Sequence, residues 1–252
     1  RPSWRPLVKS LIIIPTFNER ENLEKLAPII LDQPPRFDIL IVDDASPDGT
    51  GALAEQLAAA TQGRIRVLHR PTKLGLGSAY VEGFRWALAR DYELIFQMDA
   101  DFQHDPMDLV RFVAAAASAD VVIGSRYVKG GATIEWSRYR RAISQGGAMY
   151  TRALLRLPYH DVTTGYRCYH RAVLERLDLD HMTTTGFGFQ VEMLYRCYQM
   201  QARVVELPIV FHRRRIGQSK MSANIFVEAM ALVWRLRQDG SKDPPRPLSA
   251  PG

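Results

Sequence analysis

Short runs of Val, Ile and Leu alternate with longer amphipathic stretches along this chain, and that alternation constrains the fold more than any other feature. LIII (11–14), DILIV (38–42), RIRVLH (64–69), ELIFQMD (93–99) and DVVIGS (120–125) have the length and β-branched content of strands. Between them, NERENLEKLAPIILDQ (18–33), GTGALAEQLAAAT (49–61), GSAYVEGFRWALA (77–89) and DPMDLVRFVAAAAS (105–118) carry helical spacing. Near-continuous apolar strands separated by helices predict an α/β fold, with a mostly parallel central sheet, helices on both faces and ligands at the carboxyl ends of the strands. Asn18 with Glu21 three residues on predicts a capping box, and Asp105-Pro106 predicts an N-cap followed by the first helical position.

The second half is less regular. It offers a basic helix (138–157), a Gly/Thr-rich turn DVTTGYR (161–167), a helix near 188–201, a strand RVVELPIVF (203–211) and an apolar helix with a basic end (224–238). These complete the same domain, so one unit is expected over 10–238, after an extension over 1–9 and before a Pro/Ser/Gly-rich tail over 239–252 that reads as disordered. The start, RPSWRPLVKS, reads as a cut end, without an initiator Met or an apolar signal core. At 252 residues and 46% hydrophobic content the chain can bury a sizeable core. Its apolar stretches are broken by charges such as Asp120, short of the roughly 18 residues that a membrane span requires. Cys168 and Cys197 have no CxxC spacing and read as packing residues of a reducing compartment.

Chemistry concentrates at the predicted strand ends. In MDADFQHDP, residues two apart in an extended segment point the same way, so Asp99, Asp101 and Gln103 can converge on a hard divalent cation, Mg2+ or Mn2+, with Asp105 capping the next helix. A second acidic pair in IVDDASPDG lets Asp43 or Asp44 accept hydrogen bonds from a ribose or base, and PTFNE offers Phe17 and Glu19 to the same crevice. KLGLGSA (73–79) lacks the GK[ST] ending of a P-loop and reads as a helix start with close backbone approach. The net charge of +6 gathers in WSRYRRA (136–142) and FHRRRIGQSK (211–220), two clusters that call for an anion. Acidic groups at the same crevice, with no RNP, zinc or helix-turn-helix signature, argue against nucleic acid.

IIIPTFNE, IVDDASPDGT, GLGSAYVEGF, MDADFQHDP, VIGSRYV, TTGYR and FHRRRIGQSK occur in order over residues 11–220. Together they resemble the family 2 glycosyltransferases of GT-A fold, and within them the polyprenol-phosphate (dolichol-phosphate) mannose synthases. The resemblance implies GDP-mannose as donor, a polyprenyl or dolichyl phosphate as acceptor, and transfer with inversion. By motif it carries nucleoside contacts to Pro15, Phe17, Glu19, Val42 and Asp44, extends the donor site to Asp99, Ala100 and Asp101, and gives the metal to Asp99, Asp101 and Gln103. It gives the acceptor phosphate to Arg126, Arg140 and Ser144, and donor or acceptor phosphates to Arg214 and Lys220, with Glu192 a candidate for the sugar. A donor diphosphate and a lipid phosphate bring roughly four anionic charges together, more than one divalent ion balances, so Arg126, Arg140, Arg214 and Lys220 are the expected countercharge. Arg138, Arg213 and Arg215 are expected on a solvated surface. The resemblance further implies peripheral work at the cytoplasmic face of a membrane, with a separate or fused transmembrane anchor. A UDP-sugar transferase acting on polyprenyl phosphate and a non-catalytic nucleotide-sugar-binding module both remain open at this point.

Overall fold

The computed structural model describes residues 8–182, 187–212 and 231–238. Four strands open the sheet: β1 (Ser10–Thr16), β2 (Phe37–Asp43), β3 (Ile65–His69) and β4 (Leu94–Gln97). They are followed in space by β7 (Arg167–His170), β5 (Val121–Ser125) and β8 (Val204–Pro208), in the order β3-β2-β1-β4-β7-β5-β8. Every pairing is parallel except those of β7, which runs antiparallel to both β4 and β5. The mostly parallel sheet matches the expectation, and the second half of the chain completes it. β7 was not foreseen, because RCYH is only four residues long and directly follows a segment that reads as a turn.

Both faces are covered. Leu11, Ile13, Leu40 and Val42 join one hydrophobic cluster, while Ile12, Ile14, Ile39 and Ile41 join the other. This period-2 division explains why the strands are almost uniformly apolar. On the first face lie α3 (Leu76–Leu88), α5 (Arg138–Leu155), the short α6 (Arg171–Arg176) and α7 (Phe187–Gln199); on the second lie α1 (Arg20–Leu31), α2 (Thr50–Ala60) and α4 (Leu109–Ala116). Gly83 lets α3 approach β1 closely, since a Cβ there would lie 2.7 Å from Ile13 Cγ2. Both cysteines are buried and free.

Several local expectations change. α1 has no capping box: Asn18 adopts φ +61° and its N–H donates to Ser46 Oγ, so the helix starts one residue later, after Glu19. Asp105 does cap, accepting from the Met107 N–H, but it opens a 3-10 turn (Pro106–Asp108) that leads into α4. The single strand expected over 203–211 divides at Pro208, after which β9 (Val210–Phe211) pairs with β6 (Ala132–Thr133) in a separate ribbon. Residues 231–238 are helical, and the rest of the helix expected over 224–238 lies outside the described residues, as do residues 1–7 of the extension expected over 1–9 and the tail over 239–252. Among the described residues no helix is long and apolar enough to cross a membrane.

Candidate active site

The carboxyl ends of β1, β2, β3 and β4 meet at one edge of the sheet, and the two acids of IVDD take different roles there. Asp43 is structural: its carboxylate accepts from Thr16 Oγ1 at 3.0 Å and from the N–H and hydroxyl of Ser46, fixing the β1 and β2 ends and the following turn. Asp44 pairs with Arg70, whose side chain is 1% exposed, and also accepts from the Gly75 N–H at 3.3 Å. Arg70 in turn donates to Ser78 Oγ at 2.6 Å, so one guanidinium ties the β2 end to the start of α3. The glycine-rich segment is therefore held by Asp44 at the N–H of its first glycine. Arg70 was missed by motif reading; its signal is its position immediately after the third strand, level with the IVDD acids.

Phe17 stands partly exposed at the β1 end with Lys73 Nζ 3.7 Å above its ring. Glu19 accepts from Asn22 Nδ2 at 2.7 Å. Pro15 is half-buried, whereas the Val42 side chain lies wholly in the core beneath them. The flat aromatic face, the cation and the nearby Asp44 make a slot suited to a nucleoside.

The acids of MDAD sit beyond the strand. β4 ends at Gln97, and the chain then turns through Phe102 at φ +59°, so strand periodicity does not set the directions of Asp99 and Asp101. Asp99 is partly exposed and receives the Tyr80 hydroxyl at 3.3 Å. Asp101 has no exposed surface; it accepts from the Gln103 N–H at 3.0 Å, and Ala100 beside it is buried. Gln103 reaches across to the residue that follows β9, its amide donating to the His212 carbonyl at 3.1 Å. His104 supports the turn from beneath, its Nδ1 accepting from the Asp99 N–H at 3.4 Å while its ring stacks on Tyr166 at 4.8 Å. Burial pushes the His104 imidazole down to about 4, so it stays neutral with its proton on Nε2. Burial, reinforced by Asp99, raises the Tyr80 phenol well above its usual range and keeps it a donor.

Hard oxygen donors are what a divalent cation takes. Among the described residues no group of three or more His, Cys, Asp or Glu side chains could hold an ion alone. Asp99 nevertheless faces Gly165 with room for one small group between them: a Cβ placed on that glycine would have the Asp99 carboxylate 3.7 Å away as ordinary contact. The residues fit an ion held by one or two carboxylates and completed by substrate phosphate oxygens.

A basic, aromatic wall adjoins this edge. Arg126 is buried in a bidentate pair with Asp161, Nε to Oδ2 at 2.6 Å and Nη2 to Oδ1 at 2.7 Å, and Nη2 also reaches Thr163. Burial opposes both charges, but the pairing outweighs it, raising Arg126 and lowering Asp161. The guanidinium lies 5.1 Å from the Phe211 ring and 5.6 Å from the Trp136 ring, and Arg140 stacks on Trp136 at 4.2 Å. Phe211 also contacts His104 at 5.4 Å, so the wall is continuous with the acidic turn. Ser144, on α5, lies 2.7 Å from the Tyr127 hydroxyl. Arg126 thus arrives with its charge largely matched by Asp161, a partner that the motifs did not reveal, which leaves Arg140 as the more exposed cation. Arg138 is exposed, as expected. Arg213, Arg214, Arg215 and Lys220 lie outside the described residues. Glu192 is fully buried and paired with Arg196 one helical turn on, at 2.6 Å.

An α/β sheet of this topology, with an acidic strand-end turn and a basic wall at one edge, has the architecture of the GT-A glycosyltransferases. The chain belongs to glycosyl transferase family 2, whose profile matches residues 11–178. It is 46% identical over 236 residues to a polyprenol monophosphomannose synthase of Mycolicibacterium smegmatis, covering 92% of this chain and 89% of that protein. It is also 46% identical over 228 residues to an undecaprenyl-phosphate mannosyltransferase of Micrococcus luteus, covering 90% and 93% respectively. The fold is similar to that of a mannosyltransferase from Pyrobaculum calidifontis solved with GDP-Man and Mn2+, with a TM-score of 0.62, 17% identity, and coverage of 98% of this chain and 67% of that one.

Proposed function

We propose that this enzyme transfers mannose, with inversion, from GDP-mannose to a polyprenyl monophosphate, giving a lipid-linked mannosyl phosphate. The observation that carries the reading is the continuity of the acidic turn at Asp99 and Asp101 with the wall of Arg126, Trp136 and Arg140, joined through His104 and Phe211. That arrangement serves two anions that must approach each other: a diphosphate leaving group at the acidic turn and a phosphate nucleophile at the wall. The two mannosyl-phosphate-forming relatives supply the sugar and the lipid class.

The chemistry follows from the acceptor. A phosphate monoester is already anionic near neutral pH, so its oxygen attacks the anomeric carbon without a strong general base. Phe17 and Lys73 seat the nucleoside, Asp99 and Asp101 would hold Mg2+ or Mn2+, and Arg140 with Arg126 aligns the acceptor phosphate against its repulsion from the donor. When bound, such an ion would supply Lewis-acid stabilisation to the diphosphate. By family motif Gln103 joins the metal ligands, Ser144 the acceptor phosphate, and Arg214 and Lys220 the donor or acceptor phosphates. The lipid acceptor brings the enzyme to the cytoplasmic face of a membrane as a peripheral protein, held by a separate or fused transmembrane anchor.

The test is transfer of labelled sugar from GDP-mannose, UDP-glucose and UDP-N-acetylglucosamine, in parallel, to a short polyprenyl phosphate, with and without EDTA. Lipid-linked product from GDP-mannose alone, lost with EDTA and lost in Asp99→Ala at saturating Mn2+, is expected. Product only from a UDP-sugar overturns the donor, and undiminished turnover of Asp99→Ala overturns the metal site.

A further inference from the structure

Gln190, on the first turn of α7, is 2% exposed, yet neither Nε2 nor Oε1 of its carboxamide has a hydrogen-bond partner. A buried polar group left unpaired costs about 1–3 kcal/mol, so such a group in a native fold calls for a partner from outside the chain. Turning the amide over changes nothing, since both ends lack one.

Its surroundings identify the partner. A Cβ built on Gly165 would lie 3.6 Å from Gln190 Nε2, 3.7 Å from Asp99 Oδ2 and 3.8 Å from Asp99 Oδ1. Gln190 and the Asp99 carboxylate thus border one small space that Gly165 leaves open. Gly165 does not have a positive φ, so its backbone conformation does not demand glycine. The space is also rigid. Arg167, fully buried, donates to the carbonyls of Val162 and Thr164 in the loop and to that of Gln190 on the helix, locking the two walls together. A carboxamide presents an acceptor and two donors side by side. An ionised phosphate would leave Oε1 unsatisfied, because it has no proton to give, and a metal ion at Oε1 would leave Nε2 unsatisfied. A sugar hydroxyl satisfies both, accepting from one end and donating to the other.

We infer that Gln190 is a specificity residue that reads hydroxyls of the transferred hexose, in the space between Asp99 and Gly165. This deepens the donor assignment above and rests on it. Glu192, two residues on, is taken up by Arg196 and is the weaker candidate for that role.

The test is calorimetric binding of GDP, GDP-mannose and UDP-glucose, with Mn2+, to the wild type, Gln190→Ala, Gln190→Met and Gly165→Ala. Wild type is expected to prefer GDP-mannose to GDP. Each variant is expected to lose roughly tenfold in GDP-mannose affinity while binding GDP unchanged. The melting temperature of ligand-free Gln190→Met is expected to match or exceed the wild type, because no hydrogen bond of the side-chain amide is lost. Equal weakening toward GDP and GDP-mannose, unaltered GDP-mannose affinity, or a destabilised free Gln190→Met overturns the inference. A sugar-dependent loss that follows UDP-glucose in place of GDP-mannose overturns the donor reading and leaves Gln190 as a sugar-hydroxyl ligand.

Discussion

Removing Asp161 isolates what the basic wall costs the fold. In Asp161→Ala the Arg126 guanidinium stays buried among Tyr127, Trp136 and Phe211 but loses both arms of its bidentate pair and the carboxylate that its own N–H also reaches. Breaking a buried ion pair by removing one partner costs about 3–5 kcal/mol, chiefly because a charge is left uncompensated. For a chain of this size that lowers the melting temperature by roughly 6–20 °C. Replacing both partners, as Arg126→Met with Asp161→Leu, removes the orphaned charge and is expected to restore most of the loss, while transfer to the acceptor stays impaired because the wall has lost a cation. Thermal and urea unfolding of the wild type, the single variants and the double variant complete the cycle. The contribution is present above the unfolded carboxylate range near ~4 and disappears as pH falls through the depressed Asp161 value. If Asp161→Ala melts with the wild type, or the double variant is no more stable than the single, the pair is not the buried, coupled unit described here.

Two further outcomes are expected. His104 is neutral when folded, with a pKa of about 4 against an ordinary 6.5, so the unfolded chain takes up the proton first as pH falls. Its share of stability is intact above pH 6.5 and declines toward pH 4, by about 2 kcal/mol between pH 7 and 5; urea unfolding at both pH values, with a flatter dependence in His104→Phe, checks it. Arg70→Ala frees Asp44 and the start of α3, and is expected to raise KM for the donor at least tenfold through loss of nucleoside positioning, with a smaller effect on kcat; equal falls in kcat and kcat/KM would contradict a role in donor binding.

The sheet was legible because its strands are buried on both faces, which writes unbroken Val/Ile/Leu runs into the sequence, and because Gly75 caps α3 and Asp105 caps the turn that leads into α4, residues with a single conformational meaning there. β7 escaped because a four-residue strand has too few positions to show a period, and its antiparallel place between β4 and β5 comes from tertiary contacts alone. The candidate site divides in the same way. Acids after apolar strands were visible as a local pattern, so Asp44, Asp99 and Asp101 could be singled out. What holds them could not: Arg70 lies 26 residues from Asp44, Asp161 lies 35 from Arg126, and Gln103 answers His212 across 109. Partnerships over such separations leave no spacing to read. The same reasoning explains why Gln190 was passed over for Glu192. A charge on an apolar helix attracts attention, but its i,i+4 arginine already satisfies it, whereas an uncharged amide looks innocuous until the space around it shows that nothing else in the described fold meets its hydrogen bonds.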